Sequence, residues 1–184
     1  MKISQEFEVA RPPEVVWDIF QDVPSVAQCL PGAELTGEGE DGAQQGKLSV
    51  KLGPMTATFE GTASVTPDPA SKSATIDGKG VDRAGGSRGQ VKVQYRIEPE
   101  GGGSKVSVNA DLTLSGPAAQ FGRTGLINEM SKRLIVEFVQ CLEAKLAADS
   151  EEAAEMVSAG EVKGISLFFA SLWSWIKKLF RGDE

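Results

Sequence analysis

Histidine is absent from all 184 residues, and with it the side chain that most often serves as general base or metal ligand near neutral pH. Tyrosine occurs once, at Tyr95, and cysteine twice, at Cys29 and Cys141. The two cysteines lack metal-ligand spacing and are expected to be free, small, buried residues of a reducing compartment. No nucleophile elbow, zinc-protease pair or dinucleotide-binding glycine motif occurs. The glycines of GEGEDG, GKG, GGSRG and EGGGS fall instead where hairpins must turn. Carboxylates lie beside turns or at outward strand positions, with none expected on an inner apolar face, so an enzyme is the weaker expectation. The opening MKISQEFEVARPPEVVW has no apolar signal-peptide core, and a place in the cytosol or on the cytoplasmic side of the cell membrane is expected.

The charge is distributed unevenly. Of the net −7, residues 1–148 carry −4, residues 149–163 another −4, and residues 164–184 carry +1. An acidic body argues against nucleic acid, whose phosphates need a basic surface.

Periodicity organises the rest. Lys2 to Ala10 alternates, with Ile3, Phe7 and Val9 on one side and Gln5 as a polar intruder among them. Pro12 and Pro13 open a short helix, and a second, at about residues 25–29, ends at Leu30-Pro31-Gly32. Six runs of period two follow, at about 33–40, 45–52, 55–67, 72–81, 88–99 and 104–115. From Pro117 to Ala147 the period becomes 3.6, which predicts one long helix lying across an antiparallel sheet. This order predicts an α+β helix-grip (START-like) fold: a curved antiparallel sheet of about seven strands around a long C-terminal helix, with two short helices after strand 1. Residues 1–147 form the domain, 148–163 an acidic tether and 164–184 a separate segment.

The predicted inner face of the sheet holds many small residues, among them Ala57, Gly61, Ala63, Gly78, Gly80 and Ala110. Two readings follow. Either an apolar cavity is left between sheet and helix, or backbones approach closely where the sheet bends. In the first reading the wall is Met55, Phe59, Val93, Tyr95, Phe121, Leu126, Met130 and Leu134. Tyr95 would then offer a hydroxyl to a carbonyl or headgroup of a lipophilic guest.

The closing GISLFFASLWSWIKKLFRGDE contains two of the three tryptophans. As a helix it places Ile165, Phe168, Phe169, Leu172, Trp173, Trp175, Ile176, Leu179 and Phe180 on one arc, with Ser166, Ser171, Ser174, Lys177, Lys178 and Arg181 opposite. Its uncharged run ends at Lys177, far short of the ~20 residues that span a bilayer. Such a helix is expected to lie in the membrane interface, with its basic side chains on lipid phosphates. Docking on the chain's own body is the alternative.

Several segments resemble the CoxG family, the G subunit of carbon monoxide dehydrogenase, within the polyketide cyclase/START-like (SRPBCC) superfamily. They are VARPPEVVWDIFQDVPSVAQCLPGAE, KLGPMTATFEGTASV, IDGKGVD and LSGPAAQFGRTGLINEM, and together they span about Met1 to Leu146. The resemblance implies a hydrophobic pocket and a non-catalytic role beside the aerobic molybdenum-copper carbon monoxide dehydrogenase, or a related molybdenum hydroxylase, at the cytoplasmic membrane. No intrinsic cofactor or metal is expected. Joined to the pocket and the tail, it suggests a carrier of a respiratory quinone, menaquinone or ubiquinone, between membrane lipids and the dehydrogenase. A recruitment adaptor without ligand transport, or a cyclase or hydrolase using the pocket, are the competing expectations.

Overall fold

The computed structural model describes residues 1–39, 41–52, 55–123 and 125–148. Residues 149–184, which hold the rest of the tether, the closing segment and every membrane-facing residue predicted on it, lie outside the described residues. Seven strands form one antiparallel sheet: β1 (Lys2–Val9), β2 (Ala33–Glu38), β3 (Gln44–Leu52), β4 (Met55–Asp68), β5 (Ser73–Asp82), β6 (Ser87–Glu100) and β7 (Gly103–Ser115). Their order is β1-β7-β6-β5-β4-β3-β2, so a six-strand meander from β2 to β7 is closed by β1 alongside β7. Two short helices, α1 (Pro13–Gln21) and α2 (Val23–Gln28), connect β1 to β2, and α3 (Leu126–Ala147) follows the sheet. The helix-grip architecture is the one predicted.

Register confirms the inner face. Phe7 opposes Val106, Val106 opposes Ile97, and Tyr95 opposes both Ala74 and Val108. Alternation therefore brings the apolar side chains of adjacent strands to one surface. The polar intruder is accommodated there. Gln5 Nε2 donates to Ser131 Oγ of α3 at 3.2 Å, and Ser131 Oγ donates to the Asn128 carbonyl at 2.8 Å. A half-buried amide is thereby satisfied by the helix that the sheet holds.

Four glycines stand in register across the sheet: Gly46 opposite Gly61, Gly61 opposite Gly80, and Gly80 opposite Gly89. A Cβ on Gly61 would collide with the Lys79 carbonyl oxygen, and one on Gly80 would sit 3.1 Å from Phe59 Cβ. Along this row the small side chains permit close backbone approach. Gly78 differs, because the nearest atom to a Cβ there is a side-chain methyl, Val91 Cγ1, at 3.0 Å.

Two expectations are corrected. Residues 117–147 are not one helix. Pro117–Arg123 is a 3-10 helix, and α3 starts only at Leu126, after Gly125 with φ 72°; that left-handed backbone, natural to glycine, breaks the helical path. Nor are the cysteines free. Cys29 and Cys141 form a disulfide with a Cα separation of 5.4 Å across 112 residues of sequence, and both are fully buried. The spacing hid a pair that folding brings together at the junction of α2 and α3. Lys145, one turn on, reinforces this junction by donating to Gln28 Oε1 at 2.8 Å.

Gly61→Ala is expected to lose roughly 2–4 kcal/mol of stability, because the fault is backbone crowding, whereas Gly78→Ala is expected to lose less than about 1 kcal/mol. Urea midpoints of the two variants test this. Equal midpoints would contradict the crowding along the glycine row.

Candidate functional site

The inner face divides into two apolar clusters. The first joins Val9, Val16, Phe20, Ala74, Tyr95, Ile97, Val106, Phe138, Leu142 and the disulfide. Edge-to-face contacts fix its aromatic centre, with the Phe20 and Tyr95 rings 5.0 Å apart and Phe20 and Phe138 6.1 Å apart. The second cluster centres on Leu52, Ala57, Ala118 and Ile127, with Met55, Phe59, Leu112, Leu114, Phe121 and Met130 packed around it. It lies against the 3-10 helix and the first turns of α3.

The predicted pocket residues distribute over both. Met55, Phe59, Phe121 and Met130 meet in the second cluster. Tyr95 belongs to the first, and Val93, Leu126 and Leu134 are half-buried outside both. Every member of the set except Tyr95 is only partly buried. Between the clusters the wall is made of small or short side chains: Ala63 opposes Gly78, Gly78 opposes Val91, and Val93 opposes Ala110. These too are half-buried. The inner face thus carries a cluster rich in fully buried residues at the Tyr95 end and a smaller one toward the 3-10 helix, with half-buried small side chains between them.

Tyr95 is 6% exposed, and its hydroxyl has no hydrogen-bond partner among the described residues. Burial pushes its pKa up, and the nearby Gln21 side chain draws it partly back. Gln21 itself donates Nε2 to the Trp17 carbonyl at 3.4 Å. The Tyr95 hydroxyl is therefore buried without a well-formed hydrogen bond among the described residues, with the Gln21 amide near it.

A second orphan oxygen was not anticipated. Asp82 is 3% exposed and opposes Ser87 on the inner side of the sheet, which corrects the expectation that no carboxylate faces inward. Its Oδ1 accepts from Gly85 N–H at 2.9 Å, while Oδ2 has no partner among the described residues. Ser87 Oγ accepts from Ala118 N–H at 3.0 Å, tying the 3-10 helix to the end of β6. Asp82 escaped the sequence reading because β5 was ended one residue early, at a turn-rich stretch. The outer face carries two hollows, of about 680 and 320 Å³. Both are lined mainly by outward polar side chains such as Thr62, Lys79 and Gln90 and lie on the far side of the sheet from the predicted wall. Among the described residues no cluster of metal-ligating side chains occurs.

Comparison with known proteins places this geometry. Residues 6–147 match the family described as the G subunit of carbon monoxide dehydrogenase (CoxG). A conserved protein from Geobacillus kaustophilus superposes with a TM-score of 0.68 at 17% identity, covering 80% of this chain and 95% of that one. The Zhui aromatase/cyclase from Streptomyces sp. R1128 gives 0.51 at 18% identity, over 80% and 96%. A START superfamily protein from Mycobacterium smegmatis gives 0.51 at 18% identity, over 77% and 94%. At these identities the structural likeness carries the fold alone. No curated protein matches the sequence.

The Tyr95 hydroxyl yields a pH prediction. With its folded pKa above the unfolded value, the protein is unaffected below the ordinary tyrosine pKa and loses stability as pH rises beyond it, because only the unfolded chain ionises freely. Urea midpoints from neutral to strongly alkaline pH should fall more for the wild type than for Tyr95→Phe. Parallel curves would contradict the burial of this hydroxyl.

Proposed function

The chain belongs to the CoxG family, the G subunit of carbon monoxide dehydrogenase, and we propose that it is a ligand-binding accessory protein that carries a lipophilic respiratory quinone for a membrane-associated dehydrogenase. The single observation that carries this reading is the divided inner face, two apolar clusters separated by a belt of small, half-buried side chains. A soluble enzyme that reduces a water-insoluble quinone needs such a surface. Burying the quinone's isoprenoid tail contributes ~25 cal/mol per Å², so transfer from bilayer to protein is nearly neutral when both are equally apolar. The exchange is then reversible, as a shuttle requires.

In this reading Met55, Phe59, Phe121 and Met130 hold the tail, Val93, Leu126 and Leu134 line the belt, and the Tyr95 hydroxyl donates to a ring carbonyl. The closing segment, through Phe168, Trp173 and Trp175 and through Lys177, Lys178 and Arg181, holds the domain at the cytoplasmic side of the membrane, where menaquinone or ubiquinone is found. The partner is the molybdenum-copper carbon monoxide dehydrogenase or a related molybdenum hydroxylase. The buried disulfide removes free thiols as an argument for a reducing compartment; the cytoplasmic assignment rests on the proposed partner.

A cyclase reading draws on one specific observation, the inward Asp82. Its carboxylate, however, already binds its own turn through Gly85, and no second acid-base group stands opposite it in the register, where Ser87 is found. Asp82→Asn would abolish turnover in a cyclase and leave quinone binding unchanged in a carrier.

Native mass spectrometry of protein purified without detergent should show a bound quinone or a comparable lipid. Ala110→Phe, which fills the belt opposite Val93, should abolish that binding and lipid-to-enzyme electron transfer while leaving vesicle co-sedimentation intact. Tyr95→Phe should weaken a short-chain quinone roughly fivefold, the loss of about one hydrogen bond. A protein that carries no lipid and binds no short-chain analogue would overturn the carrier reading.

A further inference from the structure

One apolar strip lies beside the second cluster of the inner face. Leu30, Leu35 and Leu48 are 41%, 37% and 38% exposed. Leu48 opposes Ala33 on β2 and Phe59 on β4, so alternation sets Leu35 and Leu48 on the side of the sheet that carries Phe59. Leu30 continues the strip where α2 runs into β2, its carbonyl accepting from Ala33 N–H at 3.0 Å. Exposed leucines in a row, beside half-buried Val50 and Phe59, mark a surface that something covers.

Charge and chain path both name the occupant. Between residues 34 and 41 the sequence holds Glu34, Glu38, Glu40 and Asp41 and no cation. The C-terminal part of α3 is held against α2 by Cys141–Cys29 and by Lys145 on Gln28, so the chain leaves the described structure on the side of α2 and Leu30. Residues 149–163 then permit a reach of up to about 50 Å when extended. The segment that follows has an aromatic-rich apolar face and the cations Lys177, Lys178 and Arg181.

We propose that, away from a membrane, residues 164–184 dock in cis on the Leu30–Leu35–Leu48 strip, with their basic side chains toward the acidic hairpin. The same apolar face cannot serve strip and bilayer at once. The inference rests on the amphipathic character of the tail.

The test uses the full chain with Leu48→Cys, whose thiol is the sole free one when Cys29 and Cys141 are paired. Its rate of reaction with a maleimide is measured alone, with phosphatidylglycerol vesicles, and in a chain also carrying Leu172→Asp and Ile176→Asp. Leu35→Cys replaces Leu48→Cys if the latter does not fold. Docking predicts at least about a tenfold slower reaction with the unaltered tail, a factor equivalent to ~1.4 kcal/mol, and recovery of the fast rate on adding vesicles. Equal rates with both tails overturn the proposal, and so does protection that grows with protein concentration, which would mark a second copy as the occupant. Vesicle co-sedimentation of the same chains separates the two readings: sedimentation with equal rates overturns docking alone, and protection without sedimentation overturns the membrane role alone.

Discussion

A sheet that wraps a helix must bend, and in this protein the bend depends on how closely its backbones can approach along one line. Gly46, Gly61, Gly80 and Gly89 align across four consecutive strands, and at Gly61 the neighbouring carbonyl leaves no room for even a methyl group. Phe59 lies over this row, with its Cε1 3.5 Å from where a Gly89 Cβ would be. The same row therefore sets both the shape of the sheet and the seat of the ring that closes one end of the inner face. Side chains elsewhere on that face are arranged around a constraint set by the main chain.

Two kinds of smallness on the inner face have different consequences. At Gly61 and Gly80 the missing side chain is replaced by backbone or by Phe59, so nothing is left open. At Ala63, Gly78 and Ala110 the small residues oppose one another and Val91 or Val93, and the two apolar clusters form on either side of them without merging. Tyr95 belongs to the larger cluster, where edge-to-face contact with Phe20 fixes its ring.

Much of this was legible in the sequence because a strand with one buried face writes its geometry as alternation. All seven strands and the two short helices fall within a few residues of where periodicity puts them, and the polar intruder Gln5 stood out before its partner Ser131 was known. What was not legible required knowledge of contacts between distant segments. Cys29 and Cys141 look isolated because 112 residues separate them, and only the packing of α2 on α3 makes them neighbours. Gly125 interrupts the last helix through its backbone conformation, which a pattern of apolar side chains does not encode. Glycine and alanine on the inner face were ambiguous for a similar reason: small size is compatible with a void and with close approach, and only the register tells them apart. Asp82 was missed because strand ends blur into turns.

The disulfide has a mechanical consequence. Any force on the C-terminal segment enters the domain through the last turns of α3, which carry Cys141. From there it passes by a covalent route to Cys29, between α2 and β2, instead of peeling α3 from the sheet turn by turn. Only the residues beyond Cys141 can be drawn out before a covalent bond takes the load. A domain tethered to a moving surface by its C-terminus would thus transmit tension into its own chain while the inner face, with its aromatic cluster and its belt of small side chains, keeps its shape.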